Sequence, residues 1–336
     1  MVFAALPPRR YDAELDDPDP ADDERARHWG VRSAARIAFP EPADSVHDAE
    51  YAARLDRYVR DMLREHALDS LPGDRVRAGW SYSEIATELI ERSVPAQETV
   101  DLLVLAYATP DINPGRNMAA LLSERCPGAP LAFGLTDQGA ASAFTGLRLI
   151  REYARTAGLR RALLLVVEQA ALPYQARRVT SAAMPKGHTG VALLLGDASH
   201  VPQSAAPAHL GRIVTLVGAR EDAIEQEIST LCPDPPNTTV ILGSALAGIA
   251  NRLSAAGLGR VRLAPPGRPL TGLWWEFADE LDAQSGSRRS IVLCDYDPLQ
   301  GCVCVAALGC DSSTGHSHVL GTTLKGSAPV NAIAAR

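Results

Sequence analysis

No apolar run in this chain reaches the roughly 18 residues needed to cross a bilayer as a helix. No membrane span is therefore expected. The first ten residues hold an Arg pair after a short apolar stretch with no long apolar region behind it, so no secretory signal is read there. A cytoplasmic protein without a membrane partner follows. Positive charge is also short: 33 Lys and Arg stand against 40 Asp and Glu, a net charge of −7. That balance speaks against a general nucleic-acid binder. Cysteine is sparse, with six in 336 residues, which excludes a disulfide scaffold. Cys302 and Cys304 share one face of a strand-like run with no further ligands at metal spacing, so they read as small buried residues and no metal site is expected.

What is present is a regular α/β rhythm. Residues 12–26 are rich in Asp, Glu and Pro and have little to bury, so a flexible acidic arm over 1–30 is expected. Asp48 to His66 places Tyr51, Leu55, Tyr58, Val59, Met62 and Leu63 at helical spacing, and Ser81 to Ser93 does the same with Ile85, Leu89 and Ile90. From Asp101 onward, Leu102–Ala106 reads as a strand buried on both faces, 117–124 as a helix and Leu131–Leu135 as a strand. Gly139 to Ala157 is a long helix, followed by strands Arg161–Val167 and Gly190–Leu195. The second half repeats this order. Strand Thr239–Leu242, helix Ala245–Ala256, strand Val261–Ala264 and helix Thr271–Ala283 precede strands Ser290–Cys294 and Val303–Leu308. A duplicated α/β unit is predicted, with halves at 31–200 and 201–320 and a tail over 321–336.

Several motifs narrow the fold. Ala108-Thr-Pro-Asp111 follows the first of these strands. Ala132-Phe-Gly-Leu135 leads into the long helix. Glu168 closes the strand from Arg161, and His188-Thr-Gly190 opens the strand to Gly196-Asp197. Over residues 100–310 the chain resembles the β-ketoacyl-synthase-III-like proteins of the thiolase superfamily. That resemblance implies a duplicated thiolase-like fold layered α-β-α-β-α with two mixed five-stranded sheets. It also implies acyl thioesters of CoA or acyl carrier protein as substrates, with no cofactor beyond their phosphopantetheine. The family's cysteine takes the acyl group at a helix N-terminus, where the helix end stabilises the thiolate. A histidine and an asparagine bind the second thioester's carbonyl.

None of the three is found at its position. The cysteine position falls on Gly139, the histidine position on Gly243-Ser244-Ala245, and the asparagine position within Gly267–Gly272. Ser142 lies about one turn deeper and is a weak nucleophile candidate, against its reading as a small packing residue. Thr136 and Asp137 read as helix caps. Gln138 resembles the glutamine that replaces the cysteine in chain-length-factor subunits, against its reading as a buried hydrogen-bonded amide. Glu168, Gln169, Ser244 and Thr271 are pocket candidates, and His188 reads as a structural or surface residue. Arg148, Arg151, Arg155, Arg160 and Arg161, with Arg177, Arg178 and Lys186, form a basic cluster suited to an acidic carrier protein, against a solvated helix face.

Two functional readings follow. The first is a non-condensing subunit, in a homodimer or a heterodimer with a catalytic ketosynthase, in a specialised polyketide or fatty-acyl pathway. The alternative is an acyltransferase that moves an acyl group from a carrier thioester to an O, N or C acceptor without a cysteine. A ligand-binding protein on this fold is a third class.

Overall fold

The computed structural model describes residues 9–12, 29–39, 49–64, 79–114, 117–172, 184–197, 208–284 and 289–309. Arg177, Arg178, most of the acidic arm and the segment 310–336 lie outside the described residues. The first half comprises β2 (Trp29–Phe39), α1 (Ala49–Arg64), α2 (Tyr82–Ser93), β3 (Leu102–Ala106), α3 (Met118–Arg125), β4 (Leu131–Leu135), α4 (Ala141–Ala157), β5 (Arg161–Glu168) and β6 (His188–Asp197). The second comprises β7 (Ala208–Val217), α5 (Glu221–Thr230), β8 (Thr238–Leu242), α6 (Ala247–Ala255), β9 (Arg260–Leu263), α7 (Thr271–Ala283), β10 (Ser290–Asp297) and β11 (Cys302–Gly309). A short β1 (Arg9–Asp12) pairs antiparallel with β7, so this part of the expected arm belongs to the sheet.

The duplication is exact in topology. Strand order runs β4-β3-β5-β6-β2 in the first half and β9-β8-β10-β11-β7 in the second. In both, the first three strands are parallel and the last two antiparallel. The two five-stranded units are not separate sheets. They meet edge to edge where β2 pairs with β7 at Gly30↔His209 and Val31↔Ala208, giving one eleven-stranded sheet with β1. Both joining strands escaped the sequence reading. β2 is rich in Ala and carries two Arg, and its burial follows no clean alternation.

Alternation along the inner strands explains their continuous apolar runs. Leu102, Val104 and Ala106 face one core while Leu103 and Leu105 face another. Ile291 and Leu293 on β10 join that first core, while Val292 and Cys294 turn to a third. The shared core encloses α4 and α7, with Phe144 stacked on Trp274 at 5.1 Å. Helices α2 and α3 cover the first half from outside, and α5 and α6 cover the second. The result is the expected five-layer α-β-α-β-α arrangement. Strands β4 and β9 form the outer edges, which is why Leu131 and Leu263 are exposed. Among the described residues no helix is long and apolar enough to cross a membrane.

The seam between halves is tight. A Cβ added at Gly30 would lie 2.5 Å from the carbonyl oxygen of Ala208. Gly30→Val is expected to lower stability by about 1–3 kcal/mol through forced backbone movement. Gly187→Ala, where a Cβ meets nothing within 4 Å, should change it little. Urea unfolding of both variants tests this; equal effects would contradict the seam.

Candidate functional site

The loops leaving the parallel strands gather where the two halves face each other across α4 and α7. Each of these helices starts without a side-chain cap from its own N-cap residue. Each is capped instead from the opposite half. Glu168, the last residue of β5, accepts from the backbone N–H of Leu270 at 2.9 Å and of Thr271 at 3.2 Å. It also accepts from the hydroxyls of Thr271 and Thr189. Asp297, the last residue of β10, accepts through Oδ2 from the N–H of Ala140 at 2.8 Å. Its Oδ1 accepts from Leu299 and Gln300 at 2.8 and 3.0 Å. First-turn N–H groups lack intrahelical partners and carry the positive end of the dipole, so a carboxylate there is favoured. Burial still raises the pKa of Glu168, outweighing its four donors.

The same carboxylates decide what the expected catalytic positions can hold. Gly139 has φ +52°. A Cβ there would overlap Asp297 Oδ2 and lie 2.5 Å from its Cγ. At Gly243, on the exit of β8, a Cβ would overlap Asp295 Oδ1 and lie 2.5 Å from that Cγ. The two glycines where the cysteine and histidine are expected thus give their side-chain space to two aspartates, two residues apart on β10. At Gly267 the space is taken by Lys186, whose Cδ would lie 2.9 Å from an added Cβ. Asp295 is 4% exposed and accepts a hydrogen bond from the Tyr296 N–H at 2.9 Å. Burial first, and then the charges of Asp297 and Glu168, push its pKa up to about 8.

The sequence candidates separate into roles. Ser142 is fully buried and its hydroxyl donates to the Gly139 carbonyl at 2.8 Å, a back-bond within the helix turn. Gln138 accepts from Thr145 at 2.6 Å. Thr136 and Asp137 do not cap α4: Thr136 bonds Tyr107, and Asp137 sits at φ +62° with its carbonyl receiving the Gln300 amide at 3.3 Å. Glu168 and Thr271 are brought together. Ser244 is half-buried at the start of a 3-10 turn. Gln169 is buried and donates to Pro110 at 2.8 Å, bracing the Thr-Pro-Asp turn. Asp111 of that turn accepts from Tyr82 and Asn113, and burial raises it to about 6.

His188 is buried, in keeping with a structural residue, and burial lowers its pKa. One expectation needs correction: the arginines of α4 are not displayed as a free patch. Arg148 donates to Thr215, Arg151 reaches the Gly211 carbonyl, and Arg155 pairs with Glu152 at 3.0 Å. Arg148 and Arg151 thereby fasten α4 to β7, while the Arg155 pair lies within the helix. Arg161 pairs with Glu98 at 2.8 Å. Among the described residues no group of three or more His, Cys, Asp or Glu could hold a metal ion. A cavity of 680 Å³ opens between α5 and α6, with Ile224, Leu246, Ile249 and Tyr296 in its lining and Arg252 bridging Glu221 and Glu225. It lies on the outer side of the second half, and Gly139 is not in its lining.

Asp295 and Asp297 were missed by the sequence reading because they act on glycines in other loops; Asp297 caps a residue 157 positions away. The signal was Asp295-Tyr-Asp297, acidic residues closing an otherwise apolar strand.

Two predictions arise from this packing. Between its ordinary value near 4 and about 8, folded Asp295 holds a proton that the unfolded chain has released. Raising the pH therefore opposes folding, with a slope of up to about 1.4 kcal/mol per pH unit. Asp111 adds to the lower part of that window. Asp295→Asn should flatten the stability curve between about pH 6 and 8; an unchanged slope would contradict the assignment. Gly139→Ala should destabilise the wild type more than the Asp297→Ala background, with a coupling of about 1–3 kcal/mol in a double-mutant cycle. Additive effects would mean that Asp297 does not fill the Gly139 space.

No protein-family model matches the sequence, and no curated protein matches it. Solved structures do match. "AbyA1 - tetronic acid condensing enzyme" superposes with a TM-score of 0.53 at 19% identity, over 84% of this chain and 99% of that one. An OleA variant from Xanthomonas campestris gives 0.54 at 12% identity, over 84% and 98%. The 3-oxoacyl-(acyl carrier protein) synthase III of Xanthomonas oryzae pv. oryzae gives 0.54 at 13%, over 84% and 98%. The chain has the fold of these thiolase-like condensing enzymes.

Proposed function

We propose that this protein is a non-condensing thiolase-fold subunit. It works beside a catalytic ketosynthase-like chain on acyl thioesters of CoA or acyl carrier protein, in a specialised polyketide or fatty-acyl pathway. The observation that carries this reading is the pair of glycine–aspartate exchanges. At Gly139 the helix end that would hold a thiolate is taken by Asp297, and even an added Cβ would overlap its Oδ2. At Gly243 the space for an imidazole is filled by Asp295. A nucleophile and a carbonyl-binding group are both excluded by atoms of the chain itself. Ser142 offers no substitute, because its hydroxyl is committed to Gly139.

The thioester class is supported by the fold neighbours, among them a synthase named for acyl carrier protein and an OleA structure with bound lauroyl-CoA. Pairing with a second chain is supported by β4. Among the described residues it has one strand neighbour, β3, and its outer edge carries Leu131 at 52% exposure. An open edge of this kind is a template for another strand.

Intact-mass analysis with acyl-CoA and acyl carrier protein thioesters should show no acyl adduct. The isolated protein should release no CO2 from a malonyl thioester, and it should co-purify with a cysteine-bearing ketosynthase expressed from the same pathway. Adduct formation or turnover by the protein alone would overturn the reading.

A further inference from the structure

Cys302 and Cys304 open β11 on the face that packs toward α4. Their cross-strand partners on β10 are Asp297 and Asp295, and those on β7 are Val217 and Thr215. The register is unbroken over these positions; the irregularity of β11 lies further on, between Ala306 and Leu308. Side chains of a strand alternate between its faces, so residues two apart lie side by side. The two thiols hydrogen-bond to each other. The pair thus adjoins the aspartates that fill the space at Gly139 and Gly243.

The hydrogens in this cluster run in one direction. Arg148 can only donate, and it donates to the Thr215 hydroxyl. The Cys304 sulfur lies 3.4 Å from the same hydroxyl oxygen. With that oxygen accepting from the guanidinium, Thr215 gives its single hydrogen to Cys304. Cys304 in turn gives its hydrogen to Cys302. Cys302 ends the chain, and each donor polarises the next. The Cys304 hydrogen bond, with the Arg148 charge, holds the Cys302 thiol below its ordinary value against burial and the Asp297 charge. Cys304, which gives that bond to Cys302 and is buried, is pushed up. Exposure follows the same order. Cys302 is 8% exposed, next to the turn that carries the exposed Leu299, and Cys304 is 2% exposed.

We propose that Cys302 and Cys304 form a redox site, with Cys302 as the attacking thiol and Cys304 as the resolving one. The oxidant is hydrogen peroxide, small enough to reach a thiol at the foot of an exposed turn. The Cys302 thiolate attacks one peroxide oxygen and the O–O bond breaks. This gives a sulfenic acid on Cys302 and a hydroxide, which takes up the proton that Cys302 had released. The Cys304 sulfur then displaces the sulfenic oxygen as hydroxide, which leaves with the Cys304 proton as water. An S–S bond has formed, both thiols are oxidised, and one peroxide is reduced to two waters. The strand sets the character of this bond. At about 3.4 Å per residue the two Cα atoms lie about 6.8 Å apart, at the upper limit of disulfide spans. Such a bridge is strained, and strained disulfides are the readily reduced ones. The site is therefore reversible rather than a structural staple.

Treatment with graded hydrogen peroxide, then denaturation, alkylation of the remaining thiols and peptide mass analysis, tests the site. The peptide that carries Cys302 and Cys304 should escape alkylation and be lighter by two hydrogens than its reduced form. Dithiothreitol should restore both thiols. Cys126, Cys232 and Cys294, which are buried elsewhere, should still alkylate at the same dose. In Cys304→Ser, where the serine keeps a donor, dimedone should trap a sulfenic acid on Cys302. In Cys302→Ser, Cys304 should react about tenfold more slowly than that. Circular dichroism confirms that both variants fold, and the wild-type result stands without them. A wild-type peptide that remains fully alkylated, or a Cys302 bridged to any cysteine other than Cys304, would overturn the redox site. Equal rates at the two single thiols would overturn the division of roles.

Discussion

Two buried carboxylates hold the centre of this molecule together. Glu168 closes the fourth strand of the first half and binds the start of α7 in the second. Asp297 closes the fourth strand of the second half and binds the start of α4 in the first. The contact is reciprocal because the halves are copies in topology, and the fourth strand of each ends beside the other's central helix. A helix end inside a protein needs partners for its free N–H groups, and water cannot supply them in a packed core. Each half is therefore completed by the other. The shared hydrophobic core around Phe144 and Trp274 packs between the two capped helices.

The same requirement bears on the two glycines at the expected cysteine and histidine positions. A helix N-terminus can stabilise one anion well, whether a catalytic thiolate, a bound ligand or a structural carboxylate. At α4 the carboxylate has that place. Once Asp297 occupies it, residue 139 must be small, and φ +52° favours glycine there in any case. Asp295 repeats the exchange at Gly243. Burial, with Asp297 and Glu168 nearby, favours the protonated form of Asp295 near neutrality. The two aspartates thus occupy the side-chain space beside Gly139 and Gly243.

Charge is redistributed in step with this. Arg148 and Arg151 serve the contact between α4 and β7, and Arg155 pairs with Glu152 within α4.

Much of the fold was legible in the chain. Apolar runs such as Leu102–Ala106 and Arg161–Val167 specify strands buried on both faces. The helix periods between them, and the repetition of the same order after Thr239, specify a duplicated α/β unit. The absence of cysteine at Gly139 and of histidine at Gly243 is also a property of the sequence alone, because it depends only on spacing from nearby strands. The joining strands β2 and β7 were not legible. Their pairing is decided by close backbone approach at Gly30 rather than by an apolar period. Nor could local sequence show that Asp297 and Asp295 fill the space beside those glycines, or that the α4 arginines turn inward. These contacts join residues far apart in the chain, so they exist only once the two halves have packed and water has left the interface. Sequence determined which side chains the old catalytic positions lack; tertiary structure decided what stands in their place.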